Sequence, residues 1–174
     1  MANANSDYMS WICCLYSFFL KMHKNGIFGV ESDLETPRND ESVFSKYPVT
    51  LNQPVLEFAT DLLRLAVDIK VEPGDIKFYA ETYLAHKTDL ADAPVMSLLH
   101  TIWLTVWAYS KFDNPRVACE FGRQAIPEKY RPTSNELYEL LVEKDEQTFP
   151  ANSSNGYISR LEKQAADYVA SLVK

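Results

Sequence analysis

Between residues 94 and 111 the chain is apolar almost all the way round. Val95, Met96, Leu98, Leu99, Ile102, Trp103, Leu104, Val106, Trp107 and Tyr109 leave no continuous polar face. A helix of this kind has no side to give to water, so it must sit centrally with other helices packed around it. A bilayer span needs roughly 20 predominantly apolar residues. This run is shorter than that and carries Ser97, His100, Thr101 and Thr105. The other long apolar run, residues 11–20, is shorter still. The pattern therefore predicts a buried helix inside a bundle and no membrane span.

The remaining segments supply the partners. Tyr8, Trp11, Ile12, Leu15, Phe18, Phe19 and Met22 recur at spacings of three and four, which predicts a helix from residue 6 or 7 to about 24. Lys21, His23 and Lys24 suit its C-terminus, and Asn25-Gly26 reads as a left-handed stop. Residues 31–35 form a short acidic element closed by Pro37, and residues 44–48 an aromatic knot. Val55, Leu56, Ala59, Leu62, Leu63, Ala66 and Ile69 then mark one buried stripe of a long helix. Thr50 and Gln53 have capping-box spacing, and Pro54 falls in the first turn. A helix over about 74–86 carries Ile76, Phe78, Tyr79, Tyr83 and Leu84. Asp113-Asn114-Pro115 opens another, with Val117, Ala118, Phe121, Ala125 and Ile126. Thr133 to Glu136 is a second capping box, opening a helix to about residue 146. After a polar stretch at 150–156, Ile158, Leu161, Ala165, Tyr168 and Leu172 form a seam for packing on another helix. The expected architecture is an all-α, compact multi-helix bundle over residues 1–150, followed by a linker and amphipathic helix over 151–174.

Composition narrows the chemistry. The formal net charge of −7 argues against nucleic acid and against anionic lipid as partners. Cys13, Cys14 and Cys119 are odd in number and two are adjacent, which is no disulfide framework and fits a reducing compartment. The N-terminus lacks the basic start of a signal peptide. His23, His86 and His100 stand apart from one another and from the cysteines, so no metal is expected. With only five glycines there is no phosphate-binding or dinucleotide fingerprint. The chain is expected to be no enzyme and to need no cofactor. Asp61, Arg64 and Asp68 read as an exposed intrahelical pairing.

Two blocks of residues in order go further. The first comprises Gly26, Glu31, Leu34, Glu35, Pro37, Phe44, Tyr47, Pro48, Phe58, Asp61, Leu63, Arg64 and Leu65. The second runs Val117-Ala118-Cys119-Glu120-Phe121-Gly122-Arg123, then Arg131-Pro132 and Glu136-Leu137. Together they resemble the cytoplasmic part of the stator A-subunits of the bacterial flagellar motor, of the MotA/TolQ/ExbB family. The resemblance covers about the middle two-thirds of the chain and leaves out residues 152–174. In that family a membrane hairpin comes at about the position of residues 87–93, where this chain passes almost directly into its next helix.

The resemblance implies a cytoplasmic interaction module, peripheral to the inner membrane. Its implied partners are the rotor protein FliG and the stator partner MotB. It implies no ion conduction, because the family builds its ion path from membrane helices and an aspartate of MotB. Glu31 matches the glutamate with which the family's cytoplasmic face engages the rotor. The family places an arginine eight residues earlier. His23 stands there in this chain, flanked by Lys21 and Lys24, and these four residues are the candidate partner-binding set. The chain is expected to be a monomer or a weak oligomer. The alternative reading is a soluble scaffold or regulator that keeps the fold without a motor role.

Overall fold

The computed structural model describes residues 4–47, 52–86 and 93–148. Thr50 and the seam over 158–172 lie outside the described residues. Among the described residues there are seven α-helices and no strand, so the fold is the all-α bundle expected. The helices are α1 (Ala4–Asn25), α2 (Phe28–Glu35), α3 (Gln53–Leu63), α4 (Pro73–His86), α5 (Ala93–Phe112), α6 (Pro115–Ala125) and α7 (Ser134–Thr148). None is long and apolar enough to cross a membrane.

The punctuation follows backbone chemistry. Gly26 closes α1 at φ 74°, its N–H donating to the Met22 carbonyl at 2.8 Å. Asn114 caps α6, its Oδ1 accepting from the amides of Arg116 and Val117 at 3.0 and 3.1 Å, with Pro115 in the first turn. The capping box at α7 is reciprocal. Thr133 N–H donates to the Glu136 carboxylate at 2.7 Å, and Glu136 N–H donates to Thr133 Oγ1 at 3.2 Å. Pro54 sits in the first turn of α3 as expected.

One correction concerns the end of the α3 stripe. Val55, Leu56, Phe58, Ala59, Leu62 and Leu63 are buried, but Ile69 is 62% exposed. The helix widens into a π-helical turn over Arg64–Ile69 and ends on Lys70 in the left-handed region. A wider turn advances each residue through a smaller angle. The face predicted from a constant 3.6-residue period rotates away, Val67 is buried, and Ile69 turns outward.

The core lies between α1 and α5. Trp11, Ile12, Cys14, Leu15, Tyr16, Phe18, Phe19 and Leu20 of α1 are fully enclosed. Phe19 stacks on Tyr109 of α5 with ring centroids 3.9 Å apart. The 3-10 turn Phe44–Lys46 covers one end, setting Phe44 against Trp11 and Phe18. On α5, Leu99, Ile102, Val106 and Ala108 are buried and Trp103 nearly so, whereas Trp107 is partly buried. The closest helix approach is α5 against α6. A Cβ on Gly122 would stand 2.0 Å from Thr105 Oγ1 and 3.3 Å from the Thr101 carbonyl, so glycine is required there.

The buried Trp103 indole N–H has no hydrogen-bond partner, so this side chain contributes through packing alone. Trp103→Ala should lower the stability of the fold by about 3–5 kcal/mol, seen as a fall in the denaturation midpoint. An unchanged midpoint would place α5 at the surface instead of in the core.

Candidate functional site

Of the four candidate residues, Lys21, His23 and Lys24 lie in the last turns of α1 and Glu31 lies in α2. The turn between the helices is tight. A Cβ on Gly29 would meet Asn25 Cβ at 2.3 Å, so this glycine lets α2 fold back beneath the end of α1. Once α2 is docked, Val30, Asp33 and Leu34 point inward and Phe28, Glu31 and Glu35 outward. Glu31 and Glu35 stand one turn apart on the exposed face. Phe28, one turn before Glu31, is 85% exposed. With Ile27, Leu34 and Arg64 they line a shallow pocket of about 170 Å³.

Two polar ties hold α2 in this position. Lys21 Nζ donates to Asp33 Oδ2 at 2.7 Å, and the other Asp33 oxygen accepts from the Val43 N–H at 2.9 Å. Asp33 is fully buried, so α1, α2 and the turn before Phe44 meet on one carboxylate. On the far side, Arg64 donates both to the Leu34 carbonyl at the end of α2 and to Asp61 at 3.2 Å. Tyr79 of α4 donates to the other Asp61 oxygen at 3.3 Å. The Asp61–Arg64 pair read from sequence as intrahelical therefore also links α3 to α2 and α4.

The basic residues divide rather than cluster. At 100° per residue, positions 21, 23 and 24 of a helix fan over different sides. Lys21 faces α2. His23 Nε2 lies 2.9 Å from Tyr109 Oη and 3.7 Å from an Asp113 oxygen, at the end of α5. Lys24 donates to the Thr148 carbonyl at the end of α7, at 3.1 Å. Glu31 is exposed, and its carboxylate forms no hydrogen bond or ion pair with another described residue. The structure thus brings Lys21 to the same helix pair as Glu31 and directs His23 and Lys24 to α5 and α7.

Asp33 was not singled out in the sequence, though a signal exists. In an eight-residue helix that buries Val30 and Leu34, position 33 falls on the same face. Asp145 escaped notice in the same way. It is 1% exposed, accepts from Tyr16 Oη at 2.8 Å and from Arg116, and ties α7 to α1 and α6.

Among the described residues no group of three or more His, Cys, Asp or Glu side chains is placed to hold a metal. His86 and His100 are exposed and far from the α2 corner in the chain. All three cysteines are buried. Burial pushes the Cys13 thiol up and the Cys119 thiol well up, away from the reactive thiolate. Burial likewise pushes the Tyr47 phenol up to about 12, so its hydroxyl stays neutral beside Ser17.

Comparison with known proteins agrees with the resemblance. The chain is 31% identical over 94 residues to motility protein A of Salmonella typhimurium, covering 53% of this chain and 32% of that protein. It is 32% identical over 92 residues to motility protein A of Escherichia coli, covering 52% of this chain and 31% of that protein. The chain is thus related to motility protein A across about half its own length, and it spans about a third of the length of these curated relatives. No family model and no solved structure matches.

Two outcomes are expected from this geometry. Asp33→Ala removes the acceptor of a buried amide and the partner of Lys21, and should cost about 3 kcal/mol of stability by denaturant titration. A loss below about 0.5 kcal/mol, the range of ordinary surface substitutions, would show that Asp33 does not hold α2. A thiol reagent such as Ellman's should label no cysteine in the native chain and three after denaturation. Labelling of native Cys119 would contradict its enclosure.

Proposed function

We propose that this chain is a stator-related interaction module of the flagellar motor. It meets the rotor protein FliG through the exposed face of α2, works beside the stator partner MotB, and acts at the cytoplasmic face of the inner membrane. In this reading it conducts no ions, catalyses no reaction and needs no cofactor. It is a monomer or a weak oligomer.

The observation that carries the proposal is the state of Glu31. It lies in the block that resembles the stator A-subunits, and it is one of the residues of that block with no role inside the fold. Its helix is fixed on both sides, by Lys21–Asp33 and by Arg64–Leu34, while its own carboxylate stays in water next to Phe28 and Glu35. A rigid helix that displays two carboxylates and one aromatic ring is preorganised for a basic partner surface. The relationship to motility protein A supplies the biological setting.

A second reading, a scaffold that keeps the fold without a motor role, is favoured by one observation. Lys21, His23 and Lys24 are each engaged inside the chain, which reduces the basic half of the contact that the resemblance implies.

One titration separates the two. The chain should bind its cognate FliG at low salt, and affinity should fall as salt rises. Glu31→Lys should slow association about tenfold, because rim charges act mainly on encounter. It should shift stability by no more than about 0.5 kcal/mol, as an exposed position does. No binding at low salt by the unaltered chain would leave the scaffold reading.

A further inference from the structure

We infer that the C-terminal segment of this chain, residues 157–172, docks its apolar seam on an aromatic patch formed by α5 and α6. The inference does not depend on the motor reading.

The patch is a place where aromatic rings from two helices meet and stay partly uncovered. Phe121 of α6 lies 5.7 Å from Trp107 and 5.4 Å from Phe112 of α5, centroid to centroid. Phe112 is 43% exposed, and Phe121 and Val117, one turn apart on α6, are each 36% exposed. Lys111 Nζ stands 5.0 Å from the Trp107 ring and 5.4 Å from Phe112, so one cation borders the patch. The opposite face of α6 is small and buried, with Ala118, Cys119 and Gly122 against the core. The outward aromatic ring is therefore not needed to fill the interior.

The position of the α7 terminus identifies the occupant. The Thr148 carbonyl at the end of α7 accepts from Lys24, and the neighbouring His23 contacts Tyr109 and Asp113. Asp113 directly succeeds Phe112. The end of α7 is thus at the same end of the bundle as the patch. Nine residues, 149–157, separate it from the seam, and nine extended residues reach about 30 Å. The seam then offers Ile158, Leu161, Ala165, Tyr168 and Leu172 at helical spacing, in a segment whose charges balance, Arg160 and Lys163 against Glu162 and Asp167. Over fifteen residues a helix is about 22 Å long, enough to lie across both α5 and α6. A tether of this length holds the segment at millimolar effective concentration. A second copy would have to overcome repulsion between chains of net charge −7.

The test uses the full chain. Val117→Cys is combined in turn with Leu161→Cys, Ala165→Cys and Tyr168→Cys, and mild oxidation is applied at low micromolar concentration. The buried native thiols are bystanders. At least one pair should close an intramolecular disulfide and migrate as a compact monomer. As a second readout, Trp11 and Trp103 are buried, so acrylamide quenching of the native chain reports mainly on Trp107. Leu161→Asp and Tyr168→Asp should raise that quenching about twofold or more while leaving the denaturation midpoint of the bundle in place. Cross-links that appear only as dimers would assign the patch to a second copy and overturn the inference. Absence of any cross-link, or quenching unchanged by both tail variants, would overturn it as well.

Discussion

A helix enclosed on nearly every side needs partners for the polar groups it buries, and in this protein that demand falls on α1, where the Trp11 indole N–H goes without one and other groups are met. Over residues 11–23 of α1, Tyr16, Ser17, Lys21 and His23 interrupt an otherwise apolar stretch. An unmet buried donor or acceptor costs more than a made bond returns, so each of these residues recruits a neighbour. Tyr16 takes Asp145 of α7, Ser17 takes Tyr47, Lys21 takes Asp33 of α2, and His23 takes Tyr109 of α5. Apolar packing is tolerant of small rotations, whereas these four contacts are directional. They set where the surrounding elements stop sliding on α1.

This division of labour explains which features are legible in the chain and which are not. Periodicity and caps depend on neighbours within one or two turns, and they gave the helices, the Gly26 stop, the Asn114 cap and the Thr133–Glu136 box. The π-helical turn over Arg64–Ile69 did not show, because no residue type marks it and its effect is only to rotate the residues beyond it. Asp33 and Asp145 were hidden for a different reason. A carboxylate in an acidic stretch looks solvated until a lysine or tyrosine a dozen or more residues away is placed against it. The candidate site was legible as a position in the chain, not as an arrangement. Lys21, His23 and Lys24 are one cluster in the sequence and three separate contacts in space.

The two blocks that carry the family resemblance now separate physically. In the second, most of the apparent motif is explained by packing. Gly122 permits the close approach of α6 to Thr105 of α5. Arg123 pairs with Glu120, holding that carboxyl below its usual range, and also donates to the Pro132 carbonyl at 2.8 Å, which fixes the connection into α7. Cys119 fills a dry position against the Ile12 backbone. Residues at such positions report how the bundle closes and say little about what it touches.

The first block behaves differently. Leu34 and Phe44 are core, and Arg64 is a tie between helices, so these too have structural work to explain them. Glu31 does not. Packing would accept many residues at an exposed position whose carboxylate makes no hydrogen bond or ion pair with a described residue. Its helix, by contrast, is held by a partly buried ion pair on one side and a guanidinium on the other, a strong constraint on orientation for eight residues. Fixing α2 serves the fold by closing Val30, Asp33 and Leu34 over the core, but nothing in that packing calls for carboxylates on its outer edge. In the proposed reading a partner outside the bundle meets that edge in one register, and this sets Glu31 apart from the more elaborate polar networks of the interior, which the fold itself accounts for.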